Sequence, residues 1–389
     1  MAETLEIRPV RTRRDMNAFI RAAYRAQAHN PMWAPSLDME AHEFFDPKHS
    51  PFAKENEIEC YVALRDGEPV GRIAAIVNRA HLAYRKDQTG HFGFIEAIDD
   101  REVFAALIDT ASRFLAARGL TRIMGPFSAS INHEVGLLIG GFDKTHMVRT
   151  NYAPPYYARH VEALGFTKAM DLIAFETKTD ATIDDKLERI RSADARWKGR
   201  GDLKTYGLTY RTWFPSFKRL LGLFNDAWSE NWGAIPISDT EVAYIAKLML
   251  PVIKPSWIRI AEWQGEPVAI VAQIPNANEA FARLHGKLLP FGWARLMTQI
   301  HVTGTRTSRI PMAGSIKKWR HSRVGHMAIA RMMLESFEIA RANKVERIEI
   351  SWVLETNVYA VQGIELFGAK PIRKFRVYER QLSEPAASP

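Results

Sequence analysis

Two parts of the chain carry the same order of apolar periodicities. Strands are predicted where apolar and polar residues alternate, and helices where apolar residues recur every three to four positions. The first part contains, in order, a strand at residues 5–10, a helix at 14–27, an irregular proline-marked segment at 30–54, a hairpin of strands 60–64 and 70–77, a strand at 91–98, a helix at 101–118, and strands at 122–124 and near 172–175. These lengths are typical of one mixed α/β domain.

The second part repeats this order. It contains a strand-like segment at residues 203–211, an unusually aromatic helical region at 213–232, a hairpin at 258–276, a basic lead-in that ends at 325, a helix up to 342, a strand at 347–353, and a short helix before a last strand. Gly67-Glu68-Pro69-Val70 recurs as Gly265-Glu266-Pro267-Val268, and Asn78 recurs as Asn276 at the same spacing. The chain is therefore interpreted as an internal duplication, with chance recurrence of a turn motif as the alternative.

A connecting segment separates the two copies. Thr182 followed by acidic residues is typical of a helix start, and Gly199 to Gly201 favour a break. The predicted organisation is an N-terminal domain at residues 1–180, a linker at 181–202 and a C-terminal domain at 203–389. A chain of 389 residues is comfortable for two domains.

Composition places the chain among ordinary globular proteins of a reducing compartment. It is 47% hydrophobic and 25% charged, and it has one cysteine, Cys60, which cannot form an internal disulfide. The sequence shows no secretion signal and no apolar run of about 20 residues, so a cytoplasmic location is predicted. The net charge of +9 favours an anionic partner, for which coenzyme A, a nucleic acid and an acidic membrane surface all qualify.

A basic loop stands directly before the helix of the second part. Arg320, Arg323 and His326 surround a helix start whose first turn contains no acidic residue. Exposed N–H groups and the positive end of the helix dipole would join these cations in a cradle for a pyrophosphate. The alternative is an ordinary connection between a strand and a helix, with solvated arginines.

The order of elements after residue 315 resembles the second half of the GNAT superfamily of acyl-CoA-dependent N-acyltransferases. In that family an Arg/Gln-x-x-Gly-x-Gly/Ala loop binds the pyrophosphate of coenzyme A, and an Asn follows the next strand. Arg320 matches the first position of this loop and Gly325 the last, whereas Arg323 replaces the first Gly and Ile364 stands where many members have a tyrosine general acid. The resemblance assigns acyl-CoA binding to the following residues: Arg320, Ser322, Arg323, Val324, Gly325, His326 and Asn357.

The resemblance also implies the fold class. We expect a mixed α/β protein with two tandem GNAT-like domains, each a mostly antiparallel sheet flanked by helices. In the first copy the corresponding strand ends in Glu96, Asp99 and Asp100 and has no Gly/Arg loop. Carboxylates there would repel phosphates, so the first domain is predicted not to bind the cofactor. No metal site is predicted.

Three residues are candidates for the base that acyl transfer to an amine requires. An amine is protonated near pH 7 and must lose a proton before it attacks a thioester. Glu355 is the first candidate, and Glu134 and His133 follow; a solvated surface position is the alternative for each. Backbone N–H groups of residues 312–316 are predicted to stabilise the oxyanion.

A polar loop of the first domain is the predicted acceptor site. Asn132 lies in this loop, and Tyr152, Tyr156 and Tyr157 follow it closely along the chain. Tyrosine combines an apolar ring with a polar tip, which suits an amphipathic substrate. The alternative is a loop that is simply stabilised by its own hydrogen bonds.

Nearly the whole chain is similar to a bacterial group of tandem GNAT-like proteins. The segments GRIAAIVN, SINHEVGLLIGGFD and APPYY carry this similarity. The group includes ceramide-synthase-type N-acyltransferases, so the resemblance implies transfer from acyl-CoA to a small-molecule or lipid amine, such as a long-chain amino alcohol of sphingolipid metabolism. A non-catalytic GNAT-like binding protein or a basic nucleic-acid-binding protein is the rival, although no nucleic-acid motif supports the latter.

Two segments mix aromatic and basic residues and bear on the acceptor. Residues 212–225 and 283–299 interleave Trp, Phe and Leu with Lys and Arg. Such segments suit an anionic membrane or an acyl-chain groove, and they predict peripheral contact with the inner membrane face. Core helices with basic outer faces are the alternative.

Overall fold

Two compact units make up the protein. The computed structural model describes residues 4–197 and 202–382, apart from the side chain of Phe217. The first unit comprises the chain up to Leu172, the short segment His285–Lys287, and the chain from Arg373 onward; the second comprises Ile173–Leu284 and Leu288–Ile372. This division differs from the predicted limits of 1–180, 181–202 and 203–389, because the linker lies in the second unit and the chain end in the first. The predicted break at Gly199 to Gly201 lies outside the described residues.

Fifteen strands occur in the described residues. They are β1 Leu5–Pro9, β2 Glu57–Arg65, β3 Glu68–Val77, β4 Thr89–Ala97, β5 Arg122–Gly125, β6 Phe127–Ser128, β7 Glu134–Val135, β8 Leu137–Gly140, β9 Thr167–Lys178, β10 Leu203–Gly207, β11 Ile258–Trp263, β12 Glu266–Pro275, β13 Thr307–Ser315, β14 Arg347–Leu354 and β15 Lys370–Gln381.

Thirteen α-helices accompany the strands in the same described ranges. They are α1 Arg13–Ala26, α2 Asp38–Phe44, α3 Pro51–Glu55, α4 Arg79–Arg85, α5 Arg101–Ala116, α6 Tyr156–Ala163, α7 Asp184–Trp197, α8 Trp213–Trp228, α9 Asp239–Met249, α10 Asn278–Phe281, α11 Gly292–Thr298, α12 Arg323–Ala342 and α13 Val358–Leu366. The prediction of an irregular segment at residues 30–54 is wrong, since α2 and α3 lie there.

The first unit is a mainly antiparallel sheet with helices on both faces. Its strands lie in the order β1-β2-β3-β4-β5, followed by β15 beside β5, and only β4 and β5 run parallel. Successive residues of β3 contact different helices. A Cβ on Gly71 would meet Leu107 of α5, whereas Arg72 lies against Phe19 of α1. This alternation follows from the period of two along a strand.

The second unit has the same plan. Its strands lie in the order β14-β13-β12-β11-β10, and only β13 and β14 in this set run parallel. Helix α12 buries Met332, Phe337 and Ala340 against sheet residues that include Ile310 and Ile350. The helix therefore lies along one face of the sheet.

Matching hairpins confirm the duplication that the sequence predicts. In the turn of each hairpin, Gly67 and Gly265 both have a φ of 82°, and the residues before them also have positive φ. The pairing of β2 with β3 shifts between Ala63 and Leu64, and that of β11 with β12 shifts between Ala261 and Glu262. Turn and bulge thus recur at equivalent positions.

None of the helices in residues 4–197 and 202–382 has the length and apolar character that would let it cross a bilayer.

A buried carboxylate joins the C-terminal strand to the first unit. Asp171 in β9 is fully buried, and its two oxygens accept hydrogen bonds from Arg376 Nε at 2.7 Å and Nη2 at 3.0 Å. Lys374 Nζ lies 2.8 Å from the same carboxylate. Burial raises the pKa of Asp171, but the hydrogen bonds from Arg376 and Lys374 outweigh it, so the net pKa is lowered.

Replacing Asp171 by Asn should destabilise the protein by about 3 kcal/mol, since it leaves a partly buried guanidinium without its counter-charge. Chemical denaturation near pH 7 measures this change. Asp109→Asn is the matched control, because Asp109 and its partner Arg113 are 62% and 72% exposed and such pairs contribute little. Equal effects of the two substitutions would contradict this account of the anchor.

Candidate functional site

Strands β13 and β14 part in the middle of the second unit. They pair in parallel from Thr307 opposite Arg347 to Ile310 opposite Ile350. Beyond this point β13 remains paired with β12 as far as Ser315, while β14 continues to Leu354 without further pairing to β13. A gap therefore opens between two neighbouring strands.

The free edge of β13 presents backbone groups to this gap. The N–H of Ile316 donates to the carbonyl of Val268 on the β12 side. Because hydrogen bonding alternates along an antiparallel strand, the N–H groups of Ala313 and Ser315 point the other way, toward the gap. Among the predicted oxyanion donors at 312–316, these two therefore have the required direction.

A basic loop follows β13 and ends at the start of α12. A 3₁₀ turn at Lys317–Trp319 precedes Arg320 and His321, and Ser322 caps the helix by accepting a hydrogen bond from the N–H of Gly325 at 3.0 Å. The first turn of α12 contains no acidic residue, and the side chains of Arg323 and His326 are exposed. This positive helix end suits an anion.

The close approach of Trp319 explains the glycine at position 325. A Cβ on Gly325 would lie 2.0 Å from the carbonyl oxygen of Trp319. The glycine therefore allows the first turn of the helix to pack on the 3₁₀ turn. Its predicted contact with a phosphate is a separate matter and stays a prediction, as do those of Ser322, Val324 and His326.

Arg320 is bound to the end of α8 in this structure. Its Nη1 lies 2.5 Å from Glu230 Oε2, and its Nη2 donates to the carbonyl of Ala227 at 2.8 Å. The N–H of Lys317 donates to Asp226 at 2.6 Å. The hydrogen bond from Arg320 lowers the pKa of Glu230, so this carboxylate is ionised near pH 7. The end of α8 thus fixes the basic loop.

A buried polar network lies where β13 and β14 part. Arg309 donates from Nε to Ser351 Oγ at 2.9 Å, and Ser351 Oγ donates to Glu349 Oε1 at 2.7 Å. The guanidinium also lies 4.8 Å from the ring centre of Trp352. Arg309, Glu349 and Ser351 occupy the sheet face opposite the one that Ile310 and Ile350 present to α12, because neighbouring residues of a strand face opposite ways.

The turn after β14 holds the first candidate base. Glu355 is partly buried there, directly after the part of β14 that has left β13. Asn357 caps α13, since its Oδ1 accepts a hydrogen bond from the N–H of Ala360 at 3.1 Å. Tyr359 in the first turn of α13 is 79% exposed and contacts the ring of His321 in the basic loop. Loop, gap and Glu355 therefore lie on neighbouring elements of one unit.

The first unit closes the equivalent gap with its own chain. Strands β4 and β5 pair only from Thr89 to His91, after which β6 lies against β4. A Cβ on Gly93 would lie 1.7 Å from the carbonyl oxygen of Phe127, and Ser128 Oγ accepts from the N–H of Phe94 at 3.2 Å. The chain itself thus fills this gap and provides a hydrogen-bond acceptor for the N–H of Phe94.

The helix that follows β4 has the opposite charge from α12. Asp100 caps α5 by accepting from the N–H of Glu102 at 2.8 Å, and Glu102 lies in the first turn. Arg65 binds both carboxylates, at 2.6 Å and 3.0 Å. An anion would meet two negative side chains at this helix end.

The predicted polar loop of the first unit forms a small hairpin around His133. Ser130 Oγ and His133 Nδ1 are 2.9 Å apart, and the imidazole packs edge-on against Phe44 and Phe52. Burial, together with the positive charge of Arg149, lowers the pKa of His133 to about 3. Asn132 and Glu134 lie beside it. Burial lowers the pKa of the nearby Arg72 guanidinium, although the charges of Glu96 and, more weakly, Glu134 oppose this effect.

The three predicted substrate tyrosines use their hydroxyl groups within the first unit. Tyr152 donates to the carbonyl of Phe142 at 2.9 Å, Tyr156 to that of Ala97 at 2.8 Å, and Tyr157 to Glu96 Oε2 at 2.7 Å. Tyr157 is fully buried. Their contact with an acceptor stays a prediction.

Sequence reasoning did not single out Glu96 and Arg309 as site residues. Burial raises the pKa of Glu96, whose carboxylate also accepts a hydrogen bond from Gln27 at 2.9 Å. Glu96 is a charged residue in a mainly apolar strand, and Arg309 is the one charged residue of a strand that otherwise contains apolar and small residues. That local pattern was the signal that could have revealed them.

Solved structures identify the fold as a tandem GNAT fold. A tandem GNAT protein from the clavulanic acid biosynthesis pathway matches 98% of this chain and 100% of its own, with a TM-score of 0.54 and 11% identity. A GCN5-related N-acetyltransferase from Sphaerobacter thermophilus matches 97% of this chain and 96% of its own, with a TM-score of 0.52 and 10% identity. The predicted fold class is thereby confirmed.

Two curated relatives cover nearly the whole chain, although no protein-family model matches it. The bacterial ceramide synthase of Caulobacter vibrioides is 38% identical over 379 residues, covering 97% of this chain and 98% of the relative. Protein YghO of Escherichia coli is 35% identical over 378 residues, covering 97% and 95%. The chain belongs to the family of these two proteins. Fold and family together support an N-acyltransferase in general terms.

Replacing Gly325 by Ala should destabilise the protein by about 1–3 kcal/mol, because the methyl group would overlap the carbonyl of Trp319 and force a backbone shift. Gly222→Ala in α8 is the control, since a Cβ there meets nothing within 4 Å and should instead stabilise by about 0.5–1 kcal/mol. Denaturant unfolding of both variants measures the difference. A neutral effect of Gly325→Ala would remove the packing explanation.

Proposed function

We propose that the protein is an acyl-CoA-dependent N-acyltransferase whose second unit binds the donor. The observation that carries this proposal is the gap between β13 and β14, which leads directly to the positive start of α12. An extended donor with amide groups can bond to the free edge of β13, much as an added strand would. Its phosphates would then reach the helix N-terminus.

The charges around this loop support a phosphate ligand. Arg323 and His326 are exposed at the first turn of α12, and Lys317 and Lys318 precede it. Lys318 pairs with Glu266 and Lys317 lies 3.6 Å from Glu230, whereas Arg323 makes no ion pair within the described residues. Arg323 is therefore the cation best placed to bind a phosphate without losing an existing partner.

The first unit argues for a single donor site per chain. Its equivalent gap is filled by Phe127 and Ser128, and its equivalent helix begins at Asp100 with Glu102. Both features disfavour an extended, anionic ligand there. In the proposed function, the first unit therefore does not bind the donor.

The proposed chemistry is direct acyl transfer. A deprotonated amine attacks the thioester carbonyl carbon, and the resulting oxyanion accepts hydrogen bonds from the N–H groups of Ala313 and Ser315 at the strand edge. The carbon–sulfur bond then breaks, the amide forms, and the proton lost by the amine balances the charge of the departing thiolate. No covalent intermediate on the protein is needed.

Glu355 is the base that the geometry favours. It lies in the same unit as the donor gap, on the turn that follows β14. Burial and the charge of Arg149 lower the pKa of His133 to about 3, so it is a much weaker base than an ordinary imidazole. Glu134 remains a candidate of the first unit, close enough to Arg72 to affect its pKa.

A long-chain amine is the proposed acceptor class. The relative from Caulobacter vibrioides is a bacterial ceramide synthase, and a ceramide contains a fatty acyl group in amide linkage to a long-chain amino alcohol. Its similarity extends over 97% of this chain. We therefore propose a fatty acyl-CoA donor and a long-chain amino alcohol acceptor for this protein.

Arg323→Ala should weaken the binding of palmitoyl-CoA about tenfold, because a hydrogen bond to a charged group contributes about 1.5 kcal/mol or more. Isothermal titration calorimetry measures the dissociation constant. Lys344→Ala just beyond the other end of α12 is the control, since it removes the same charge from the second unit. No saturable binding of any acyl-CoA to the unchanged protein would refute the proposed function.

Glu355→Gln should lower kcat by roughly 10²–10⁴-fold with little change in acyl-CoA affinity, because the amide cannot accept the proton of the attacking amine. Product formation from palmitoyl-CoA and a long-chain amino alcohol gives kcat. Glu134→Gln and His133→Gln are tested beside it. Loss of kcat only in Glu134→Gln would transfer the role of base to that residue.

A further inference from the structure

Exposed apolar side chains concentrate in one segment of the second unit. Five of them form what we call the apolar patch: Leu289, Phe291, Trp293, Met297 and Val302, with exposed fractions of 79%, 78%, 55%, 38% and 79%. They lie on α11 and on the turns before and after it. So many large, exposed apolar side chains within one short segment are uncommon on a protein surface unless the segment binds something.

The segment that carries the apolar patch is firmly attached to the second unit. Leu296 and Ile300, one helical turn apart, are buried, while Trp293 and Met297 at the same spacing face outward. Gln299 Nε2 donates to the carbonyl of Gly304 at 2.6 Å. The segment is therefore folded, and it has apolar side chains both on the face that packs on the protein and on the face that is exposed.

A second aromatic segment adjoins the apolar patch. His301 binds the carbonyl of Pro251 at 3.1 Å, and its other ring nitrogen lies 3.4 Å from the hydroxyl of Tyr210. Tyr210 is 58% exposed, and Phe214 at the start of α8 is 53% exposed. The exposed apolar surface therefore extends from α11 toward the beginning of α8.

The two sequence stretches that carry this surface contain Lys and Arg but no Asp or Glu. No Asp or Glu occurs between Glu279 and Glu335, where ten Lys and Arg residues occur, and none occurs between Asp202 and Asp226. Arg295 on α11 is exposed, as are Arg211 and Lys218 near the start of α8. Cations beside exposed Trp and Phe match the interface of an anionic bilayer, where aromatic rings lie among head groups.

We propose that the apolar patch inserts into the head-group region of a bilayer containing anionic phospholipid. Phe291 and Trp293 enter the interface, while Arg295, Arg211 and Lys218 lie against lipid phosphates. The alternative of a core helix with a basic outer face does not describe α11, because Trp293 and Met297 are exposed. Interfacial binding of this kind needs both buried apolar area and cationic attraction, and the second unit supplies both.

The test is flotation of the full-length protein with unilamellar vesicles. Phosphatidylcholine vesicles are compared with vesicles that also contain phosphatidylglycerol. We expect the unchanged protein to float with the anionic vesicles and the double substitution Phe291→Glu, Trp293→Glu to abolish this. Tyr84→Glu is the matched control, because Tyr84 is a 47% exposed aromatic residue of the first unit, and it should float normally.

The contribution of charge is tested by Arg295→Glu. Each Lys or Arg near an anionic surface strengthens partitioning roughly fivefold, so this reversal should weaken it by roughly 25-fold at low salt and by less at high salt. Circular dichroism melting should show unchanged stability, because every substituted side chain is exposed.

Several outcomes would overturn the proposal. These are failure of the unchanged protein to float with anionic vesicles, equal loss in Tyr84→Glu, and concentration-dependent self-association that Phe291→Glu, Trp293→Glu abolishes. The last outcome would assign the apolar patch to a second copy of the chain. Because vesicle binding needs neither acyl-CoA nor turnover, its failure is distinguishable from failure of the proposed enzymatic function.

Discussion

The parting of two parallel strands is the constraint on which each unit depends. Where β13 leaves β14, backbone N–H and C=O groups lose the partner that a continuous sheet would supply, and such groups need hydrogen bonds from elsewhere. In the first unit β6 lies against β4, where Ser128 Oγ accepts a hydrogen bond from the N–H of Phe94, and Gly93 makes this close approach possible. In the second unit β13 and β14 do not pair beyond Ile310 and Ile350. The same architecture thus has a gap that the chain fills in one unit and a gap that is proposed to bind the donor in the other.

Charge at the following helix reinforces this difference between the two units. Helix α5 is capped by Asp100 and has Glu102 in its first turn, with Arg65 as the shared partner of these two carboxylates. Helix α12 is capped by Ser322, starts at Arg323 and has no acidic residue in its first turn. A helix N-terminus already carries partial positive charge, so carboxylates saturate it and cations strengthen it. Backbone geometry and side-chain charge therefore both support the proposal that the second unit binds the donor.

The elements were largely predictable because their signals are local. The helix predicted to follow Gly325 corresponds to α12, and the strand predicted at 347–353 to β14, since apolar periodicity reports which face is buried. The contact of Arg320 with Glu230 and the placement of the chain from Arg373 onward in the first unit involve residues far apart in sequence. Periodicity contains no information about such partners. The exposure of the apolar side chains of α11 could not be predicted either, because the same residue types occur in a buried core and on an exposed binding surface.

Arg320 has one partner that holds it in position and one partner that another anion could replace. Its bond to the carbonyl of Ala227 is shielded, but its carboxylate partner Glu230 has a side chain that is 60% exposed. An exposed ion pair contributes little net stability, because water competes for both charges. A dianionic phosphate at the start of α12 could therefore replace Glu230 at small cost while Ala227 holds the guanidinium in place. In the proposed function, the end of α8 would thus hold Arg320 in position for a phosphate group.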